Sequence, residues 1–350
     1  MHTKKSAIGR NIVKLLKYAA CAAAITMATA GYANAKDFVL KVQTHLSAES
    51  LNGKNAAQFA RDVEAMSGGR LKLEMFYSGS VVKSTETFDA AANGILDGDM
   101  TGAAYQTGKN PAFQFLGDIM GGYNTPWEQL SWLYYGGGLE AAQPLYNKYG
   151  MQLIGWWVGG QESMSSSKPL AGPADLKDWK FRSPPGMETE IFAEMGASPI
   201  VMDFGEVFTA LETKIIDGAD ASNISTNKSI GIYDLVKYTT YPGFHSMPSD
   251  HLAINKGVYD SLPADLRAIL EVAMQKLSFQ HGMSQQVDMS EVATQLEKDG
   301  YTLHDWSVKD RLAFRTAAQK KWQEWGDKTP EARVLVDSHV AYMKRLGILK

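Results

Sequence analysis

Blocks of apolar and polar residues divide the first part of the chain into alternating strands and helices. The apolar run at residues 38–44 predicts a buried strand, and apolar residues at helical spacing over 47–67 predict a helix that ends at Gly68 and Gly69. A strand at 71–77, a helix at 85–93 and a strand near 100–105 follow. This alternation predicts parallel strands with helices on the sheet faces.

A second α/β unit follows residues 151–158, an apolar segment that contains Trp156 and Trp157 and predicts another buried strand. Further strands are predicted at 163–170, 180–183, 199–202, 237–241 and 251–254, with helices at 127–135, 139–149, 187–195 and 204–214. Beyond residue 260 the apolar spacing predicts helices to the end of the chain, with a helix start at Thr329-Pro330-Glu331.

The order of these elements predicts a two-lobed α/β protein with hinge-crossing strands and C-terminal bracing helices. The chain crosses between the units near Val158 and again near Ser246. We expect lobe I to hold residues 36–158 with about 247–290, and lobe II and the bracing helices to hold 159–246 with about 291–350. A cleft between two hinged lobes is a common ligand site. The pattern alone leaves a single continuous α/β enzyme domain open.

The N-terminal 35 residues have the three parts of a secretory signal peptide. Five basic residues occur among residues 1–17 without an acid, residues 18–30 carry no charge, and Ala33-Asn34-Ala35 is a small-x-small cleavage site. The uncharged run is too short to span a bilayer as a helix, which disfavours a retained anchor. We therefore expect cleavage after Ala35 and a periplasmic protein.

Composition excludes several classes of function. Removal of the signal leaves 30 basic and 38 acidic residues, a balance that argues against nucleic acid as a partner. The only cysteine, Cys21, lies in the signal, so the mature chain has neither a catalytic thiol nor a cysteine-bound zinc. The G-x-S-x-G, P-loop and H-E-x-x-H motifs are also absent. These absences disfavour an enzyme.

Four short segments resemble, in their order and spacing, the core signature of the TRAP-transporter solute-binding proteins of the DctP family. They are Trp179-Lys180-Phe181-Arg182-Ser183-Pro184, Met195-Gly196-Ala197-Ser198-Pro199, Glu206-Val207-Phe208-Thr209-Ala210-Leu211-Glu212 and Ile216-Asp217-Gly218. The resemblance covers nearly the whole mature chain. It implies a periplasmic binding protein with the Venus-flytrap fold, which captures a solute for a TRAP membrane permease and is not an enzyme.

Two further segments resemble the branch of this family that binds 2-oxo or 2-hydroxy monocarboxylates such as pyruvate or lactate. They are Tyr134-Tyr135-Gly136-Gly137-Gly138 and the stretch from Ala103 to Phe113. The resemblance assigns substrate binding to Arg182, Tyr105 and Gln161, and it implies no organic cofactor. It assigns a calcium or sodium ion, bound with the substrate, to Gln161, Asp220 and the carbonyl of Ala221. Asn223 is a further candidate for the substrate set.

The sequence departs from that branch at two positions of the metal site. Ala221 stands where an aromatic residue is expected, and Ser246 stands where a second acid is expected. Asn223 also precedes a helical stretch, where an asparagine is typical of an N-cap. These departures change the residues expected to coordinate the ion, and Asn223 or Asp250 could take the missing places.

Arg182 is the residue on which the functional prediction depends. It ends a short strand before Pro184 and Pro185, and its planar guanidinium matches a carboxylate with two parallel hydrogen bonds. A C4-dicarboxylate or a sugar acid in the same fold, a periplasmic enzyme acting on small acids, and a sensor partner remain alternatives. The apolar face of Val336, Val340 and Met343 leaves open either a homodimer formed through the C-terminal helix or packing of that helix on its own lobe.

Overall fold

The computed structural model describes residues 37–350, so the expected signal peptide lies outside the described residues. Eleven strands occur in this part of the chain. They are β1 Phe38–Thr44, β2 Leu71–Phe76, β3 Gly98–Met100, β4 Met151–Val158, β5 Met164–Ser166, β6 Lys180–Ser183, β7 Ser198–Val201, β8 Gly218–Asp220, β9 Tyr238–Thr240, β10 Ser249–Asn255 and β11 Thr302–His304.

Thirteen α-helices occur in the same residues 37–350. They are α1 Leu51–Met66, α2 Thr87–Ala92, α3 Ala112–Gly117, α4 Pro126–Tyr135, α5 Gly138–Lys148, α6 Met187–Glu194, α7 Val207–Glu212, α8 Ile224–Ser229, α9 Ile232–Leu235, α10 Lys256–Ser261, α11 Ala264–Lys298, α12 Val308–Gly326 and α13 Pro330–Arg345. Among these described helices, none combines the length and the hydropathy that a membrane span requires.

The strands form two mixed sheets, which agrees with the α/β class predicted from the sequence. The first sheet has the order β2-β1-β3-β10-β4; β1 and β3 are parallel, and β10 runs antiparallel to both of its neighbours. The second has the order β11-β9-β5-β8-β6-β7, with β6 parallel to β7 and β8. The chain passes from the first sheet to the second after β4 and returns before β10, at the two predicted crossings.

Local sequence signals fix several helix starts. The Thr125 hydroxyl accepts from the Glu128 backbone N–H while the Glu128 carboxylate accepts from the Thr125 N–H, with Pro126 in the first helical turn of α4. Ser50 caps α1 by accepting from the Gly53 N–H at 3.0 Å. These bonds satisfy N–H groups that a helix start leaves without intrahelical partners.

Three long helices connect the two sheets. The 35-residue helix α11 packs on β4 and α1 at the first sheet and on α8 and β11 at the second. Helix α12 packs on α6 and α13, and α13 packs on α3 and α5. The expected bracing role of the C-terminal helices therefore has a structural basis in contacts to elements of both sheets.

The face of α13 that suggested a homodimer is buried in the chain's own core. Val336 and Met343 are fully buried, and Val340 is partly buried against the same core cluster. His339 of α13 lies between the Tyr123 hydroxyl, 2.9 Å from Nδ1, and the Phe115 carbonyl, 2.7 Å from Nε2. Of the two interpretations of this face, the structure agrees with packing on the chain's own core, so these side chains are not free to form a dimer interface.

Two predicted elements differ from the structure. The third strand ends at Met100, and Tyr105 lies in a 3-10 turn, Ala103–Gln106, rather than in a strand. The segment after residue 300 is not entirely helical, because Thr302–His304 adds a parallel edge strand beside β9. Both differences involve short elements whose conformation depends on neighbours distant in sequence.

Candidate functional site

A cavity of about 80 Å³ lies where the strand ends of the two sheets meet. His45 and Gly102 follow the parallel strands β1 and β3, whereas Arg182 and Ala221 lie at the carboxyl ends of β6 and β8. Carboxyl ends of parallel strands are common ligand positions because the chain turns there and leaves a crevice. The other lining residues that matter below are Tyr105, Asp118, Trp157, Glu162, Glu188, Phe204, Asn223, Ser246, Asp250 and His281.

Among the described residues, Arg182 is the single arginine or lysine that lines this cavity, and it is 2% exposed. Its Nη1 donates to the Asp220 carbonyl at 2.7 Å and its Nε donates to the Met202 carbonyl at 3.3 Å. Of the five guanidinium hydrogens, these bonds use two. Within residues 37–350, no carboxylate forms an ion pair with Arg182 within 4.0 Å. A buried guanidinium is costly unless its charge is paired at hydrogen-bonding distance, and an organic carboxylate would supply that direct contact.

Tyr105 also reaches the cavity, although it lies in a turn rather than in the expected strand. The turn is fixed by the Gly102 carbonyl, which accepts from the Tyr105 N–H at 3.1 Å. Burial raises the pKa of Tyr105 well above its ordinary value, against the opposing effect of the Arg182 charge. The phenol therefore stays neutral and can donate a hydrogen bond to a ligand.

Asn223 lines the cavity, and the structure confirms its N-cap position. Its Oδ1 accepts from the Thr226 N–H at 2.9 Å at the start of α8. Its Nδ2 donates to the Gly159 carbonyl at 2.7 Å and to Gln285 Oε1 at 3.1 Å. Because these protein bonds occupy both ends of the amide, Asn223 fixes the position of the cavity wall.

The structure does not bring Gln161 to the cavity. Its amide nitrogen donates to the Asn124 carbonyl at 3.0 Å, and the next residue along the chain, Glu162, lines the cavity instead. Gly160 precedes both residues with a φ of +92°, a left-handed conformation that favours glycine and turns the chain after β4. This turn decides which of the two adjacent side chains faces inward.

A cluster of buried carboxyl groups lies next to Arg182, and of its members only Asp220 was predicted from the sequence. Asp118 follows α3, Glu162 follows β4, Glu188 begins α6 and Asp220 ends β8, so four separate segments contribute one acid each. Each is less than a tenth exposed. Their proximity depends wholly on the tertiary fold, and Ser246, the position where an acid was expected, lies among them.

The Ser246 hydroxyl lies 2.7 Å from Asp118 Oδ2 and 2.8 Å from Glu162 Oε2. A hydroxyl has one proton to donate, so the second contact requires a proton on one of the two carboxyl groups. Burial raises the pKa of Asp118 to about 7. Burial and the neighbouring Asp220 charge raise the pKa of Glu162 well above its ordinary value. The geometry and the pKa directions agree that this pair holds a proton near neutral pH.

Asp220 behaves differently because a histidine accompanies it. Burial opposes its ionisation, but His245, whose Nε2 lies 2.7 Å from Asp220 Oδ2, holds the pKa of Asp220 below its ordinary value. Asp220 Oδ1 is buried without a hydrogen-bond partner in the described residues. Burial and the Asp220 charge also raise the pKa of Glu188. An ionised carboxylate with an unused buried oxygen is suited to receive a cation.

The two histidines that line the cavity are neutral at pH 7. Burial and the Arg182 charge lower the pKa of His45 to about 4, and burial lowers the pKa of His281 to about 3. His281 lies against Trp157 with a centroid distance of 4.6 Å, and its Nδ1 lies 3.0 Å from Asn55 Nδ2. Arg182 therefore remains the positive charge that faces the ligand space.

The family model described as bacterial extracellular solute-binding protein, family 7 (DctP), matches residues 42–329. The chain therefore belongs to the DctP family of TRAP periplasmic solute-binding proteins. Members of this family and the structural neighbours are solute-binding proteins rather than enzymes.

Individual relatives agree with this assignment over most of the chain. A monocarboxylate 2-oxoacid-binding periplasmic protein from Nostoc is 26% identical over 304 residues, which cover 83% of this chain and 80% of the relative. An open, ligand-free TRAP solute-binding protein from Rhodobacter sphaeroides is 32% identical, covers 89% of this chain and 99% of its own, and superimposes with a TM-score of 0.71. One from Pseudoalteromonas atlantica with bound sodium and pyruvate is 26% identical, covers 89% and 96% of the two chains, and gives a TM-score of 0.80.

Proposed function

We propose that this protein captures a small organic acid, a 2-oxo or 2-hydroxy monocarboxylate such as pyruvate or lactate, with the carboxylate on Arg182. The observation that carries the proposal is the buried Arg182 guanidinium, which lines the cavity and has no carboxylate within 4.0 Å among residues 37–350. Two parallel hydrogen bonds from the guanidinium would pair the charge of the acid. Tyr105 would donate a further hydrogen bond to an oxygen of the ligand.

The size of the cavity supports a short ligand. A volume of about 80 Å³ suits an acid of a few carbon atoms better than a sugar acid. The relative from Nostoc is named for 2-oxoacid monocarboxylates, and the protein from Pseudoalteromonas atlantica holds pyruvate. A C4-dicarboxylate brings a second charge to be paired, and Arg182 is the single cationic side chain that the described part of the chain contributes to the cavity, which favours a monocarboxylate.

A calcium or sodium ion would fit beside the acid, but with a different set of ligands from the one predicted. Gln161 does not line the cavity; Glu162 does, and it offers one atom within 4.8 Å of one atom each from Asp220 and His245, which lie behind the lining residues. Asp220 Oδ1 is a buried oxygen without a partner in the described chain, and carboxylate oxygens are the ligands that such hard cations prefer. Glu162 and Asp220 are therefore the residues that would hold the ion. A cation there would neutralise their charge and attract the 2-oxo or 2-hydroxy oxygen of the acid.

Capture follows from closure of two lobes around this cavity. Lobe I comprises residues 36–158 with about 247–290, and lobe II with the bracing helices comprises 159–246 with about 291–350. A ligand that contacts both lobes stabilises the closed state by its higher affinity for that state. The mature protein acts in the periplasm after cleavage at Ala35, delivers the acid to TRAP membrane permease subunits, and performs no chemistry on it.

Isothermal titration calorimetry with lactate and pyruvate tests the proposal. Arg182→Ala should lose measurable binding, because an unpaired buried carboxylate costs about 3–5 kcal/mol. Arg182→Lys should bind at least tenfold more weakly than the wild type, because the ammonium cannot form the two parallel bonds. Arg61→Ala, an exposed arginine on α1, is the matched control and should bind normally. Near-normal affinity of a folded Arg182→Ala variant would rule out Arg182 as the anchor.

The ion is tested separately with the same titration. Chelation together with replacement of sodium by a large organic cation should weaken binding, and Glu162→Gln should weaken the response to added calcium. Unchanged affinity under both treatments would remove the ion from the site and leave the role of Arg182 intact.

A further inference from the structure

A second cavity of about 240 Å³ lies beside the ligand cavity and shares two lining residues with it, His45 and Phe204. The other residues that line the second cavity include Ser47, Ser84 and Phe208. His45 and Phe204 therefore form the wall that separates the two spaces. We name this pair the His45–Phe204 wall.

The two sides of the wall come from different sheets. His45 follows β1 in the first sheet, and Phe204 follows β7 in the second. Their rings meet edge to face, with centroids 5.4 Å apart and an interplanar angle of 82°. This arrangement is the favourable one for two aromatic rings, and it requires both sheets to be in their present positions. Because His45 is neutral, the contact carries no charge that would attract water into it.

Phe204 also covers the residue that anchors the acid. The Arg182 guanidinium carbon lies 5.8 Å from the centroid of the Phe204 ring, which is 8% exposed. A ligand carboxylate bound to Arg182 would therefore have this ring at its side. Any part of the ligand that extends towards the second cavity would meet the ring before it could leave the first.

The backbone on both sides of Phe204 is fixed by Asp203. Its Oδ1 accepts from the Gly205 N–H at 2.9 Å. Across the gap between the sheets, the carboxylate also accepts from the Ser84 N–H at 3.1 Å and from the Ser84 hydroxyl at 3.3 Å. Ser84 begins the turn before α2, which packs on the first sheet. These bonds prevent the ring from moving aside without the loss of contacts between the sheets.

The lining of the second cavity suits a hydroxylated chain. Ser47, Ser78 and Ser84 supply hydroxyl groups, and Phe208 and Ile230 supply an apolar surface. A carboxylate on Arg182 with a polyhydroxylated tail of a few more carbons could reach these groups if the wall were absent. The second cavity on its own has no arginine or lysine among these residues to hold an acid.

We propose that Phe204 sets the upper length of the acid that this protein binds, because its ring and His45 close the ligand cavity against the second one. The inference rests on the proposed binding of the carboxylate by Arg182. Replacement of Phe204 by alanine would join the two spaces and admit a six-carbon hydroxy acid. Phe204 thus acts as a specificity-determining residue that needs no polar contact with the ligand.

Calorimetric titration of the full-length mature protein with lactate, pyruvate and gluconate tests this inference. The wild type should bind a short acid and bind gluconate at least a hundredfold more weakly. Phe204→Ala should gain at least tenfold in affinity for gluconate and lose about three- to tenfold for the short acid. Phe208→Ala, which changes only the second cavity, should show neither effect. Phe204→Leu, which retains an apolar side chain, should gain less than Phe204→Ala and serves if the alanine variant is unstable.

Two outcomes would overturn the inference: equal affinity of the wild type for gluconate and the short acid, or no gain for gluconate in folded Phe204→Ala and Phe204→Leu variants. The double variant Phe204→Ala with Arg182→Ala should lose gluconate binding, which shows that the longer acid uses the same anchor. A crystal structure of Phe204→Ala gives a readout that needs no ligand. A continuous cavity is expected, and two separate cavities would contradict the role of the wall. Failure of the wild type to bind any short acid would count against the proposed function alone.

Discussion

Ser246 shows how a single residue changes the electrostatics of this site. An acid at this position would have added a third carboxylate to Asp118 and Glu162, whereas the serine hydroxyl lies between them at 2.7 and 2.8 Å. The pair then requires a proton, and burial raises the pKa of Asp118 to about 7 to match. The site near Arg182 therefore carries less negative charge at neutral pH than its four acids suggest.

This raised pKa predicts a pH dependence of stability that Asp118→Asn should remove in part. The folded state keeps a proton on Asp118 that the unfolded chain releases near its ordinary pKa of 3.8. Between about pH 4 and 7 the folded state binds more protons, so each pH unit upward costs up to about 1.4 kcal/mol of the free energy of unfolding. Asparagine resembles the protonated acid, so the variant should gain stability relative to the wild type at pH 8 and not at pH 4.

Denaturant unfolding of ligand-free, chelated protein from pH 4 to 8 measures this difference. Glu212→Gln, an exposed acid at the end of α7, is the control and should change stability equally at all pH values. A constant difference between Asp118→Asn and the wild type across the range would contradict a raised pKa.

Individual site residues could be predicted only where a short motif surrounds them. Arg182 and Tyr105 were found through such motifs, and both line the cavity. Gln161 and Glu162 are adjacent after a strand, where a shift of one residue exchanges the inward and outward side chains. Gly160 permits the left-handed turn that makes this choice, but the sequence does not show which of the two side chains the turn directs inward.

At the scale of the elements, the residue that caps the N-terminus of α8 also joins segments that are distant in sequence. Asn223 accepts from the Thr226 N–H and donates to the Gly159 carbonyl and to Gln285 on α11. One side chain thus links the start of α8, the crossing after β4 and the helix that spans both sheets. The cap was predictable from the sequence, but the two long-range bonds were not.

Asn223→Ala should lower the free energy of unfolding by about 1–3 kcal/mol, because it removes a helix cap and leaves buried acceptors without donors. Asn223→Ser retains an oxygen for the cap and should recover only part of this loss. Urea unfolding of the two variants measures the difference. Equal stabilities of the serine and alanine variants would show that the cap contributes nothing.

The length of an element and the location of its pairing partners explain which predicted elements matched the structure. Long apolar runs such as β4, and helices with apolar spacing such as α1, were predicted close to their observed positions. The strand β3 and the edge strand β11 have three residues each, and their pairing partners are distant in sequence. Short strands of this kind take their conformation from the sheet, so local pattern cannot define them.

For the whole molecule, the important contacts are those that join the two sheets across the cavity. Asp203 binds Ser84, and Gln114 Oε1 of α3 accepts from the Met187 N–H of α6 at 2.8 Å. These bonds connect an element that packs on the first sheet with one that packs on the second. If the two lobes close around the ligand, such bonds stabilise the closed state and slow the release of the ligand.

Asp203→Ala should therefore increase the dissociation rate of the bound acid by about tenfold, because hydrogen bonds to a charged group contribute about 1.5–3 kcal/mol. Stopped-flow measurement of lactate dissociation, followed by intrinsic tryptophan fluorescence, gives this rate. Glu212→Ala is the control. It removes an exposed carboxylate at the end of α7 and should leave the dissociation rate unchanged. An unchanged rate in Asp203→Ala would contradict a role of this contact in holding the closed state.

The most direct test of the central claim is a crystal structure of the mature protein grown with lactate. We predict that both carboxylate oxygens of the acid lie within hydrogen-bonding distance of the Arg182 guanidinium, enclosed between the strand ends of the two sheets. A bound acid whose carboxylate lies away from Arg182, or a guanidinium that faces bulk solvent, would contradict the account.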